Sequence, residues 1–445
     1  LAVVSVDAAT QWRSIMSILL LGLNHRTAPV EVRERLAFSR EGVANALMLF
    51  RSQFPDAEAA IISTCNRVEI LVSAAEDDAC SARNVVAFLA KARDLAAASF
   101  APHLYEFDGA AAVRHVFRVI SGLDSIVVGE CQVVNQVKQA YALAHEQGTC
   151  GPVLHRLFHH AFGVSKRTRG ETPIAEGKLS VPSVAMDIVR RACPHPSELN
   201  VLVVGAGDMS QHACRYLAEA GVGRLVVISR TLNNARSLAE ACGGVAAPYA
   251  ELDRHLGEAD VVITATSCPT AILNVARVER VAAGRASERP LVLIDLSVPR
   301  NIEPAAGQVA GVKLYDIDSL VAVVSKTHKG RKSAVQACES IIVEEVRAFE
   351  RWIAEARVAP LIGQIFRDVR ELADVEVRRL FDRCPEFSGD QRDEVAQLVD
   401  RLVGKLLHPC VSAIREGTAQ ARLSEVLETE RLSFAPSEGM AEQLV

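Results

Sequence analysis

Val201-Leu202-Val203-Val204 runs without a break into Gly205-Ala206-Gly207-Asp208-Met209 and then into a helical pattern, an order that few folds accommodate. In a dinucleotide-binding unit the first glycine permits the tight turn and the second lets backbone approach a pyrophosphate. The amides that open the helix then hold the phosphates. Ser210 fills the third glycine position. Between Asn200 and Asp318, segments that read as strands at Leu225–Ile228, Val261–Thr264, Leu291–Leu296 and Lys313–Asp316 alternate with helical patterns, which predicts a parallel sheet with crossover helices, a Rossmann domain. At the end of its second strand, where a carboxylate would bind the ribose diol of NAD, stand Ser229, Arg230 and Thr231. A guanidinium and two hydroxyls suit a 2′-phosphate, so NADPH is the expected cofactor. Its expected binding set is Gly205, Ala206, Gly207, Asp208, Met209, Ser210, Ser229, Arg230 and Thr231.

This unit is too small to be the whole molecule, because 445 residues exceed what one core supports and two or three domains are expected. At 49% hydrophobic and 23% charged residues the chain is of ordinary globular composition, and with only 5% aromatics its cores must be aliphatic. A formal net charge of −5 argues against general nucleic-acid coating but leaves room for a basic patch that holds one defined RNA. Eleven cysteines stand singly, without a C-x-x-C pair, as expected of reduced thiols in a cytoplasmic protein. No stretch reaches the ~20 apolar residues of a membrane helix. The first fifteen residues have no basic n-region and are expected to form a poorly ordered extension.

Upstream of the Rossmann unit, Ile18–Leu23, Ala60–Ser63 and Val68–Val72 read as short strands, and Ala79 to about Arg169 as helical with breaks at Ala101-Pro102, Gly122 and Gly151-Pro152. The expected limits are 16–170 for this α+β domain and 171–322 for the Rossmann domain. A long linking helix over 323–357 follows, with an apolar stripe through Val335, Cys338, Ile342, Val346, Phe349, Ile353 and Ala356. Pro360 is expected to end it. Helices over Leu361–Arg383 and Asp390–Glu416 would complete an all-α dimerisation domain, 358–445.

The polar interruption Ser63-Thr64-Cys65-Asn66-Arg67 sits at a strand end, where a cysteine is poorly placed for a core and Arg67 would favour its thiolate. Joined to a hydride donor, such a thiol can capture an acyl group as a thioester and see it reduced to an aldehyde. His155, His159 and His160 share helical spacing but lack the further ligands a zinc site needs. Lys166-Arg167-Thr168-Arg169 reads equally as a phosphate contact or a solvated face, and Lys326 to Lys332 as solvated.

Three blocks, Gly22-Leu23-Asn24-His25-Arg26-Thr27-Ala28-Pro29, Ser63 to Glu69 and Ser121-Gly122-Leu123-Asp124-Ser125-Ile126-Val127-Val128-Gly129-Glu130, resemble signature blocks of the glutamyl-tRNA reductases. Gly205 to Gly207, Asp295 to Arg300, Tyr315 to Asp318 and Lys405 to Pro409 extend the resemblance from about Met16 to about Arg415. It implies NADPH-dependent reduction of glutamyl-tRNA to glutamate-1-semialdehyde, with release of tRNA, as the first step of the five-carbon route to 5-aminolevulinate and porphyrins. Cys65 would be the nucleophile and His115 the active-site histidine that orients or deprotonates it. Thr64, Asn66, Arg67, Ser125, Glu130, Gln132 and Asn24 would bind substrate, with Arg67 pairing the glutamyl carboxylate. The resemblance further implies a V-shaped homodimer, handover of the labile aldehyde to glutamate-1-semialdehyde aminomutase, and haem feedback. The chain departs from the pattern at Ser210, at Ser229 for asparagine, at Asn301 for aspartate and at Cys131. A shikimate- or quinate-type dehydrogenase, and a non-catalytic regulatory homologue, stand as alternatives.

Overall fold

A computed structural model describes residues 17–74, 80–125, 127–130, 132–175, 181–192, 195–285, 289–324 and 332–415. The expected extension over residues 1–15, Cys131 and the basic segment from Lys326 to Arg331 lie outside them. The described residues form two compact units, one reaching Val346 and the other starting at Arg347.

The first unit opens with an antiparallel sheet of β1 (Ser17–Asn24), β2 (Glu58–Ser63), β3 (Arg67–Ala74) and β4 (Tyr105–Asp108), in the order β2-β3-β1-β4. Every residue of β3 is buried, so its polar members Arg67, Glu69 and Ser73 are forced to find partners inside the protein. Around the sheet lie α1 (Val30–Leu36), α2 (Arg40–Gln53), α3 (Ala82–Arg93), α4 (Gly109–Ile120), α5 (Gln132–Glu146) and α6 (Pro152–Glu171). Ser39 caps α2 by accepting from the Gly42 amide at 3.0 Å. The sequence did not disclose β4: Tyr-Glu-Phe-Asp is a short edge strand with alternate residues exposed, and it interrupts what reads as helix.

After α7 (Val181–Ala192) comes a parallel sheet of β5 (Asn200–Val204), β6 (Arg224–Ser229), β7 (Val245–Pro248), β8 (Val261–Thr264), β9 (Leu291–Asp295) and β10 (Val312–Tyr315). Its order, β10-β9-β8-β5-β6-β7, is that of a dinucleotide-binding fold, with the crevice at the point where the chain reverses direction, between β5 and β8. Along β5, Val201 and Val203 enter one core while Leu202 and Val204 enter the other, as a strand covered on both faces requires. The connecting helices are α8 (Asp208–Glu219), α9 (Leu232–Ala241), α10 (Leu252–Glu258), α11 (Val275–Gly284) and α12 (Ile317–Val324). The edge strand β7, Val-Ala-Ala-Pro, has too little apolar bulk to show in the sequence.

α13 runs from Lys332 to Arg383, and α14 from Gly389 to Arg415. Pro360 therefore does not end the linking helix as expected. A proline withholds one N–H and costs about 3 kcal/mol in a helix interior, which the unbroken bonds on either side of a 52-residue helix outweigh. The predicted stripe is buried at Cys338, Ile342, Val346 and Phe349, and gives way to an exposed Ala356. In the second unit Leu398, Leu402 and Leu406, spaced by four along α14, are exposed, an apolar face of the kind that covers itself by association. Among the described residues no helix is long and apolar enough to cross a membrane.

Candidate active site

Cys65 lies in the tight connection between β2 and β3. The Thr64 amide donates to the Arg67 carbonyl at 2.9 Å, and the Thr64 hydroxyl accepts from the amides of Asn66 and Arg67, each at 3.2 Å. This hydroxyl-stabilised turn uses the ordinary preference of threonine for nearby amides and fixes the cysteine backbone. The His25 amide holds the Asn66 carbonyl at 3.0 Å, and Arg33 Nη1 donates to the Cys65 carbonyl at 2.7 Å.

The thiol is not activated as expected. Burial, and after it the charge of Glu130, push it up to about 12, against the smaller pull of Arg33 and Arg67. Arg67 contributes little because its guanidinium is engaged elsewhere: Nη1 donates to Glu69 at 2.6 Å, and Nη2 to the Asp124 carboxylate at 3.0 Å and to the Asp124 carbonyl. Only 2% of Arg67 is exposed. The substrate-pairing guanidinium expected of it is thus committed to internal carboxylates.

His115 is buried on α4 but faces Glu69 rather than the sulfur. Its Nε2 lies 2.7 Å from Glu69 Oε1, its ring stacks on Phe107 at 4.8 Å, and the Tyr105 hydroxyl donates to the same oxygen. Among the described residues no hydrogen bond joins His115 to Cys65. Although burial works against it, Arg67 and then His115 hold Glu69 well below the usual carboxylate range.

Asn24, Asp124, Ser125 and Glu130 are buried close by. Asn24 Nδ2 donates to Asp124 at 3.2 Å while its Oδ1 accepts from the Arg26 amide at 2.9 Å. Glu130 is placed by backbone: a Cβ at Gly122, where φ is +74°, would lie 3.0 Å from both the amide nitrogen and the carbonyl oxygen of Glu130. Arg169 Nη2 holds that carbonyl at 2.8 Å. Burial, opposed by Arg67, pushes the Glu130 carboxyl up to about 7. Four side-chain atoms on these elements, His25 Nδ1, Asn66 Oδ1, Glu69 Oε2 and Gln132 Nε2, are buried with no hydrogen-bond partner among the described residues. Unpaired donors and acceptors gathered in this way are what a site for a polar ligand presents. Burial, then Arg26 and Arg67, pull His25 down to about 4, which leaves a neutral imidazole. Sequence reading passed over His25, Arg33, Glu69 and Asp124, since their importance arises from partners distant in sequence, as far as 285 residues for Arg33 with Asp318.

In the basic run of α6, Lys166 is exposed while the other members are engaged. Arg167 binds Glu171, Glu344 and Glu345, Thr168 is buried, and Arg169 holds Glu130. His155 and His159 meet the Tyr141 hydroxyl, and His160 pairs with Glu345. No group of three metal-ligating side chains occurs among the described residues.

At the carboxyl ends of β5, β6 and β8 a cleft of about 660 Å³ is lined by Gly205, Ala206, Gly207, Ser229, Arg230 and Thr231 from one side and by Ala265 to Cys268 from the other. Gly205, at φ +121°, admits no side chain, because a Cβ there would come within 2.2 Å of the Ala265 carbonyl oxygen. The space over Gly207, the N-cap of α8, is open. Asp208, Met209 and Ser210 form the first turn of α8. Met209 packs on the core beneath, and Ser210, fully buried, donates to the Ala265 carbonyl at 3.1 Å. The serine at the third glycine position therefore ties α8 to the end of β8. Asn301 uses both ends of its amide, accepting from Ser297 at 2.8 Å and Thr266 at 2.6 Å and donating to the Cys268 carbonyl at 3.3 Å, a pattern aspartate does not offer. Cys65 packs against an apolar cluster that runs from Val30 and Val127 of the first domain into this one, where Ala206 and Met209 also pack against it.

Fold and site together define an oxidoreductase of the nicotinamide-nucleotide class, with a cysteine-bearing domain set against its nucleotide-binding domain. Comparison with known proteins narrows the class. Residues 21–172 match the family model of the N-terminal domain of glutamyl-tRNAGlu reductase, 187–323 that of shikimate / quinate 5-dehydrogenase, and 337–435 that of the glutamyl-tRNAGlu reductase dimerisation domain. The glutamyl-tRNA reductase of Roseiflexus sp. (strain RS-1) is 39% identical over 92% of this chain and 95% of its own length. That of Syntrophotalea carbinolica is 38% identical over 94% of each. The solved glutamyl-tRNA reductase from Methanopyrus kandleri matches 91% of this chain and 99% of its own at 29% identity, with a TM-score of 0.45. The chain belongs to the glutamyl-tRNA reductase family.

Proposed function

We propose that this protein reduces the glutamate of glutamyl-tRNA to glutamate-1-semialdehyde, with Cys65 as acyl carrier and NADPH as reductant, at the start of tetrapyrrole synthesis. The observation that carries the reading is that Cys65 packs against an apolar cluster continuous from Val30 and Val127 of its own domain into the core of the nucleotide-binding domain, which sets an acyl-accepting thiol beside a hydride source. The cleft fits the cofactor: Gly205 and Gly207 leave room for a pyrophosphate, and the exposed Arg230, with Ser229 and Thr231, offers a 2′-phosphate charge and donors.

The Cys65 sulfur attacks the ester carbonyl, a C–S bond forms, and the bond from that carbon to the tRNA ribose oxygen breaks. The thiol proton ends on the departing oxygen. A thiol held protonated needs a base, and Glu130, about half ionised near neutral pH, is the carboxylate whose charge acts on this sulfur. NADPH held at Gly205, Gly207 and Arg230 would supply the hydride needed at the thioester carbonyl. The C–S bond then breaks, the sulfur regains a proton, and the aldehyde leaves for an aminomutase that consumes it. Asn66 Oδ1 and Glu69 Oε2 are free to accept from the substrate ammonium and Gln132 Nε2 to donate to its carboxylate, with Thr64, Ser125 and Asn24 shaping the pocket. We assign 16–170 to this glutamyl-binding domain, 171–322 to the nucleotide domain and 358–445 to dimerisation.

The test is NADPH oxidation with glutamyl-tRNA, free glutamate or shikimate, repeated with Cys65→Ser. Oxidation should require the charged tRNA and fall by roughly a thousandfold or more in the variant. Turnover of shikimate, or activity that survives the substitution, would favour the dehydrogenase suggested by residues 187–323.

A further inference from the structure

We infer that Glu34 and Arg300 are positioning residues, an ion-pair clamp that sets the nucleotide-binding domain against the cysteine turn for hydride transfer. Arg300, in the turn after β9, reaches across to α1. Its Nε and Nη2 donate to the two carboxylate oxygens of Glu34 at 3.1 and 2.9 Å, Nη1 donates to Glu31 at 2.9 Å, and its amide lies 3.3 Å from Glu34 Oε2. The Arg300 side chain is 15% exposed and that of Glu34 21%, so the pair is far better shielded than an ordinary surface bridge.

Both ends of the clamp lead to reacting groups. On α1, one residue before Glu34, the buried Arg33 donates to the Cys65 carbonyl at 2.7 Å, to the Ala28 carbonyl at 3.2 Å, and to Asp318 at the start of α12. Next to Arg300, Asn301 accepts from the Thr266 hydroxyl at 2.6 Å, and Thr266 lines the nucleotide cleft. Cysteine turn, α1, Arg300 turn and cleft rim are thus joined by continuous polar contacts across the two domains. The clamp touches neither the acyl-accepting sulfur nor the cleft itself, so it bears on the alignment of one to the other. Misplacement by about 1 Å is enough to cost on the order of a hundredfold in rate.

This inference rests on the reductase reading, and its test separates the two. With the full-length protein, Cys65 acylation by glutamyl-tRNA without NADPH and NADPH oxidation in single turnover are followed separately for Arg300→Glu, the milder Glu34→Gln and the swap Glu34→Arg/Arg300→Glu. Acylation should stay within about twofold in each, while hydride transfer falls by about tenfold or more in Arg300→Glu, less in Glu34→Gln, and recovers in the swap. Amide hydrogen exchange of residues 30–36 and 297–301 should rise in Arg300→Glu and return in the swap, whatever the activity. A parallel fall of both steps, unchanged hydride transfer, or unchanged exchange would overturn the clamp. A wild-type chain that is never acylated would instead overturn the reductase reading, and the exchange experiment would still decide whether Arg300 holds the domains.

Discussion

Glu69 is 1% exposed, and three groups converge on it: Arg67 at 2.6 Å, His115 at 2.7 Å and the Tyr105 hydroxyl. Removing one charge from a buried pair leaves the other unbalanced, so Glu69→Gln should lower stability by about 3–5 kcal/mol, measured by urea unfolding at neutral pH. Because the folded carboxyl titrates below the unfolded value of ~4.3, its contribution is complete above that value and is lost as pH falls through the folded one. The wild type should therefore lose stability on acidification more steeply than the variant. Glu130 is shifted the other way, to about 7, and if it deprotonates Cys65 the acylation rate should climb with pH through that region. Glu130→Gln should flatten this limb between about pH 6 and 8 and slow acylation by on the order of a hundredfold. A pH profile unchanged in Glu130→Gln would remove the carboxyl from the proton path.

Elements differ in how openly the sequence declares them. β5 and β8 are apolar save for Asn200 and Thr264 at their ends, so composition and length identify them, whereas β4 and β7 are edge strands without that signal. α13 misleads in the opposite direction, because proline's local cost is legible at Pro360 and the cooperative bonding of the turns around it is not. The turn from β5 to α8 allows a sharp test at this scale. Gly205→Ala places a methyl against the Ala265 carbonyl at a φ that L-residues rarely adopt, at a cost of about 1–3 kcal/mol. NADPH binding, followed by fluorescence titration, should weaken by at least tenfold, while a Gly207→Ala change, into open space, should perturb the fold itself far less.

For the whole molecule, residues 337–435 match the dimerisation domain of the family, and Leu398, Leu402 and Leu406 supply an exposed apolar face within it. A charge there must be desolvated on association, so Leu402→Glu should shift the protein from dimer to monomer in analytical ultracentrifugation at micromolar concentration without loss of helix. Retention of the dimer would place the interface on another face. Acylation of Cys65 should survive the change, since the contacts that hold the turn around it all lie before Arg347, in the other compact unit.

Much of this protein was legible in its linear order. Strand-glycine-helix succession, the absence of an acid after β6 and a cysteine between polar neighbours at a strand end are local patterns, and local sterics and hydrogen bonding suffice to interpret them. The protonation and partners of the site were not legible. Arg67 lies two residues from Cys65 yet its charge is taken by Glu69 and Asp124, His115 faces a carboxylate instead of the thiol, and Glu130 acquires a carboxyl poised near 7. Apart from the Arg67–Glu69 pair, these outcomes depend on burial and on contacts between residues distant in sequence, such as His115 with Glu69, 46 positions apart, and Arg67 with Asp124, 57 apart. Desolvation and Coulomb terms act through space, and only the tertiary structure sets those distances.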